Sequence, residues 1–219
     1  MNVVIILCIA FIPLIAIFIC MTLLSKDFSI LRGLSSCALG LISVIPIAVM
    51  QFFIGKSDFF GKGSLPVMLL EALVLNGLIE ESIKMAVLFI LPVKKMKQHD
   101  FLLCAILLGL TIASFENIVY MIGGLENIVL RLATAVLIHI LCAILGSLFV
   151  YSAKKGQASW PPFIMAIIFH GVYDYFAMFP KESPFFYFSF AVIIFAAVEC
   201  KLRYSTIKEK LQNSLDTQN

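Results

Sequence analysis

Charge is what this sequence has least of. Asp, Glu, Lys and Arg make up 13% of its 219 residues, against 62% hydrophobic residues. A soluble domain carries roughly a quarter charged residues, so a soluble globular fold is excluded. Other absences narrow the reading. No positively charged stretch precedes the first apolar run and no small-x-small cleavage site follows it, so residues 1–24 read as a retained helix rather than a removed signal peptide. Cys8, Cys20, Cys37, Cys104, Cys142 and Cys200 stand at no metal-ligand spacing and read as buried apolar thiols. Gly33 and Gly40 do not make a GxxxG pair. HExxH is absent, and no serine or cysteine has an evident base. The net charge of +3 comes with no basic run that would indicate a nucleic-acid partner.

What is present is apolar length. Stretches of roughly 20 residues, enough to cross a bilayer, fall at 1–24, 33–54, 65–91, 101–122, 128–151, 160–179 and 184–201. The fold class is therefore all-α: a polytopic membrane helix bundle of about seven transmembrane helices. Residues 1–207 form one integral-membrane domain, and 208–219 a frayed, polar cytoplasmic tail. Alternate loops and the C-terminus carry eleven of the sixteen lysines and arginines, the opposite side four, and Lys84 lies within a span. The positive-inside rule then puts the C-terminus in the cytoplasm and the N-terminus outside a bacterial cell membrane.

Against this background the stretch "GLIEESIKMAVLFILP" stands out. Glu80, Glu81 and Lys84 left alone at mid-bilayer would cost roughly 8–10 kcal/mol, so they must be paired, neutralised or facing water. Glu80 and Lys84 are i, i+4, acid first, and can pair; Glu81 points about 100° further round, and Asn76 extends the stripe. "SFENIVYM" sets Glu116 and Tyr120 one turn apart. "FHGVYDYF" sets His170 and Asp174 at i, i+4, where the aspartate can accept from one imidazole nitrogen and free the other to work. His139 follows Arg131 by a little over two turns. Glu71 reads as solvated at the outer interface, His99, Asp100 and Glu126 as loop residues, and Phe185 to Phe190 as lipid-facing bulk. Taken singly, Glu80–Lys84 could be a structural salt bridge and His139 an interhelical hydrogen-bonding group. Their convergence at similar depth on four helices points to function, the default for ionisable groups inside a membrane.

In this order, EExxK (Glu80, Glu81, Lys84), FExxxY (Phe115, Glu116, Tyr120), an arginine followed by an intramembrane histidine (Arg131, His139) and HxxxD (His170, Asp174) resemble the PrsW family of bacterial intramembrane proteases. The likeness runs from the third helix to the sixth. A wider group includes the CAAX prenyl endopeptidases, with EExxxR, FxxxH and HxxxN; Met85, Val119 and Asp174 depart from that version. The resemblance implies cleavage of a single-span membrane protein, an anti-sigma factor, on its extracytoplasmic side in an envelope-stress response.

Two hydrolytic routes suit these residues. In one, Glu80 or Glu81 with His139 deprotonates water, while His170, held by Asp174, supports the oxyanion or the leaving amine. In the other, His139, His170 and Glu81 hold zinc and the second glutamate is the base. The absence of HExxH tilts the balance to the metal-free route. Lys84, Glu116, Tyr120, Arg131 and Asp174 take supporting roles in either. The rival readings are a prenyl-peptide endopeptidase, a scaffold for a membrane partner, and a proton-coupled transporter, the last disfavoured by the lack of an internal repeat.

Overall fold

The computed structural model describes residues 3–25, 28–57, 60, 63–93, 96–122 and 128–216. Among these residues seven helical runs occur and no strand: α1 (Val3–Leu24), α2 (Ile30–Gly55), α3 (65–88), α4 (Gln98–Ile122), α5 (Ile128–Lys154), α6 (Pro161–Ala177) and α7 (Pro184–Asp216). Five of them, α1, α2, α4, α5 and α7, are long and apolar enough to cross a membrane. The other two fall short of the sequence reading for physical reasons. At 17 residues α6 spans only about 26 Å. In α3, Leu65–Glu71 is α-helical, Ala72–Glu80 is a nine-residue π-helix, and Glu81–Leu88 is α-helical again.

Proline placement helps to set the helix starts. Pro66 and Pro161 sit in first turns and Pro184 opens α7, where a missing N–H costs nothing. Pro13 and Pro46 lie inside α1 and α2. The centre of the bundle is α4 and α5, both largely buried, while α1, α2 and α7 turn apolar side chains such as Ile12, Phe53 and Ile194 outward. In a bilayer that outer surface meets lipid, and small residues let the inner helices approach closely. Gly40 lies on the backbone of α4, where an added Cβ would be 2.7 Å from Leu108 O. Gly109 lies against His139 O and Ala143 on α5.

The tightest of these glycine contacts join α3 to α6. A Cβ on Gly77 would stand 2.4 Å from Ile167 O, and one on Gly171 would stand 2.6 Å from Leu73 Cα. Two glycines, one from each helix, thus let the π-helical segment lie backbone to backbone on α6, just before Glu80 and just after His170. On its other side, Gln51 of α2 donates from Nε2 to Leu75 O at 3.1 Å. This gives a partner to a carbonyl within the irregular register, where i→i−4 bonding is lost.

Several sequence expectations change. Lys208 to Asp216 continue α7 rather than fray, with Ile207 buried and Arg203 Nε 2.6 Å from Glu199 one turn earlier. His99 and Asp100 belong to the first turn of α4, not to a loop; Asp100 is buried, at a helix end that favours a negative charge. All six cysteines are free, but only Cys104, Cys142 and Cys200 are buried; Cys8 and Cys20 are exposed. In the Phe185–Phe190 run, Phe185, Tyr187 and Phe188 are exposed and Phe186 and Phe190 half-buried. Glu126 and the side chain of Arg131 lie outside the described residues.

Candidate active site

Four helices contribute to one polar cluster. The π-helix ends on Glu80, the following α-helix begins with Glu81, and Lys84 follows one turn later. Glu116 comes from α4, His139 from α5, and His170 and Asp174 from α6. Glu80, Glu81, Lys84, His139 and His170 are all buried.

Lys84 is the hub. Its Nζ lies 2.8 Å from Glu80 Oε1, 2.7 Å from Glu81 Oε1 and 3.2 Å from His139 Nδ1. The anticipated Glu80–Lys84 pair is present, and Glu81 shares the same ammonium because i, i+3 also brings it within reach. An ammonium has no acceptor, so His139 Nδ1 accepts and the ring carries its proton on Nε2. That Nε2–H donates to Glu116 Oε2 at 2.7 Å. Glu80 Oε1 lies 3.3 Å from His139 Nδ1.

His170 is held differently from the local expectation. Its Nδ1–H donates to Glu81 Oε1 at 2.6 Å, whereas Nε2 is 3.5 Å from Asp174 Oδ2 and has no hydrogen-bond partner among the described residues. A carboxylate 89 residues away in sequence, not the aspartate one turn along, fixes this ring. The two imidazoles meet edge to face with centroids 4.8 Å apart. A buried ring nitrogen without a hydrogen bond is uncommon and marks a group available for chemistry. Tyr120 is half-buried on α4 beyond Glu116.

Sequence spacing alone missed two further features. One is the Glu116–His139 bond between α4 and α5. The other is the Gln51–Leu75 bond that braces the π-helix, with Asn76 Oδ1 3.4 Å from the same amide. A polar residue near the end of an apolar helix was the only signal for Gln51. Access to the cluster also has a direction. The Glu116 side chain is 22% exposed, while those of Glu80, Glu81, His139 and His170 are 5% or less, so Glu116 is the edge of the cluster that reaches the surface.

Comparison with known proteins places this arrangement. The sequence model of the PrsW family intramembrane metalloproteases matches residues 32–198, which hold every residue of the cluster. The chain belongs to the PrsW family. It is similar to Protease PrsW of Bacillus subtilis (strain 168), 30% identical over 152 residues, covering 65% of this chain and 67% of that one. It is likewise similar to Protease PrsW of Shouchella clausii (strain KSM-K16), 28% identical over 160 residues, covering 69% and 71%. No solved structure matches the chain. Membership makes the protein a multi-pass membrane peptidase.

The family's metalloprotease description can be tested against the donor atoms. Glu80, His139 and His170 each offer one ligand atom within 4.8 Å of the others, and so do Glu81, Cys142 and His170. Imidazole, carboxylate and thiolate are the groups zinc takes, and Glu116 on His139 is the kind of outer partner that a metal-bound histidine has. The residues present fit a divalent cation. The first set differs from the expected His139, His170 and Glu81 by using Glu80, and the second draws in a cysteine read from sequence as a plain apolar thiol.

Proposed function

We propose that this protein hydrolyses a peptide bond of a single-span membrane protein within the outer half of the bilayer. The Glu80–Glu81–His139–His170 cluster supplies the acid and base groups. The observation that carries the reading is the cluster itself: two carboxylates, two imidazoles and an ammonium from three separate helices, each within hydrogen-bonding or ion-pair distance of another. All seven helices cross the membrane in this reading, with the C-terminus in the cytoplasm. The substrate is the anti-sigma factor that the family resemblance implies, and residues 1–207 act as one protease domain.

The roles follow from which atoms are already engaged. Glu81 Oε1 accepts from both Lys84 and His170, so Glu81 serves to hold the His170 ring in one orientation. Glu80 contacts the ammonium and lies beside His139, and is the better placed of the two to take a proton from water. Glu116 holds His139. His170, held at Nδ1 by Glu81, must carry a second proton on Nε2 to donate to the developing oxyanion or to the departing amine. Water enters past Glu116. A divalent ion held by Glu80, His139 and His170 would supply Lewis-acid polarisation of the carbonyl when bound.

The test is cleavage of a reconstituted single-span substrate by purified wild type, Glu80→Gln and Glu81→Gln. Loss of an acid–base group costs about a hundredfold or more, so both variants should fall at least that far while inserting normally. Cleavage by both at the wild-type rate would reduce the cluster to a structural salt bridge.

A further inference from the structure

The Lys84 ammonium and a divalent cation would compete for the same donors. Of the Glu80, His139 and His170 set, two donor atoms already touch Nζ: Glu80 Oε1 at 2.8 Å and His139 Nδ1 at 3.2 Å. The second set is no freer, since Glu81 Oε1 is 2.7 Å from Nζ and 2.6 Å from His170 Nδ1. Lys84 is itself fully enclosed, so its charge cannot retreat to water within this arrangement. An ion within metal-bonding distance of these oxygens would sit beside a positive charge in a low-dielectric interior, where repulsion is strong.

We propose that Lys84 is the resident cation of this cage, and that a divalent metal binds at Glu80, His139 and His170 only by displacing its ammonium. The inference rests on the assignment of the cluster as the hydrolytic site, but metal binding is measured without proteolysis, so either can fail alone. Chemically, Lys84 neutralises one of two adjacent buried carboxylates and holds the lone pair of His139 Nδ1. Both are tasks a metal would otherwise perform. The wild-type chain is thereby built around a cation that is covalently its own.

The experiment is titration of the detergent-purified full chain with Co²⁺, a spectroscopic stand-in for zinc, in wild type and Lys84→Met. The neutral, similarly long side chain should tighten Co²⁺ binding by on the order of a hundredfold, and Co²⁺ should raise the Tm of the variant more than that of wild type. Because Lys84→Met leaves both carboxylates without their cation, Lys84→Met/Glu81→Gln keeps the net charge of the cluster and serves if the single variant fails to fold. It should also bind more tightly than wild type, and adding His139→Ala should abolish the gain. Equal Co²⁺ affinity in wild type and the folded Lys84 variant would overturn the proposal. A thiolate charge-transfer band that disappears in Cys142→Ala would also overturn it, by putting the ion in the second set.

Discussion

Replacing Gly77 by alanine would put a methyl carbon 2.4 Å from Ile167 O, whereas ordinary contact begins at 3.4 Å. Flexible side chains cannot absorb that clash, because the atom it meets is backbone. The π-helical part of α3 and α6 must separate by about 1 Å, and Glu81 and His170 lie on the two moving elements, three to four residues from the contact. Their bond is short, 2.6 Å, and an opening of that size turns a hydrogen bond into a poor one. A displacement of about 1 Å at a reacting centre costs about a hundredfold in rate, and overpacking costs about 1–3 kcal/mol of stability. Gly146→Ala is the internal control. Its Cβ would meet the flexible Met85 side chain at 3.5 Å, an ordinary contact. Cleavage of a reconstituted single-span substrate, paired with thermal unfolding in detergent, separates the two effects. Gly77→Ala should lose about two decades of activity while still unfolding cooperatively, and Gly146→Ala should lose little. Wild-type activity in Gly77→Ala would refute the idea that this crossing sets the geometry of the site.

Other expectations follow from single contacts. Glu116→Ala removes the acceptor of His139 Nε2–H and should lower cleavage about tenfold to a hundredfold with little effect on folding; activity unchanged would remove Glu116 from the site. Tyr173→Phe breaks a buried 2.8 Å bond to Thr134 between α6 and α5 and should cost about 1 kcal/mol of stability, read by thermal melts, with cleavage kept. On a cysteine-free background, a cysteine at Lys155 should resist an impermeant thiol reagent in intact cells and one at Glu182 should react; the reverse pattern would invert the topology.

Much of this was legible in the sequence, for reasons that also explain what was not. Apolar length located α1, α2, α4 and α5 within a few residues, because hydrocarbon leaves a helix few alternatives. Ionisable groups in an apolar run singled out Glu80, Glu81, Lys84, His139 and His170, because such groups are conspicuous in the sequence before their partners are known. Partners were harder. Spacing sees only i, i+3 and i, i+4, so it assigned His170 to Asp174, whereas Glu81 holds the ring from another helix. The His139–Glu116 bond was hidden for the same reason. Nor does hydropathy carry the π-helix, whose register depends on Gly77 lying on α6 and Gln51 reaching Leu75 O. The polar end of α7 was misjudged by composition: Lys208 to Leu215 are mostly good helix formers and simply continue the helix.

If the carboxylates and imidazoles act as one catalytic unit, a double-mutant cycle on Glu81 and His170 will show it. Cleavage rates of purified Glu81→Gln, His170→Ala and the double variant are compared in the same liposomes. If Glu81 works by holding His170, removing the ring removes what Glu81 contributes. The double variant should then fall no further than the worse single one, as residues acting together do. Losses that multiply would mean that Glu81 and His170 contribute independently and do not form one catalytic unit.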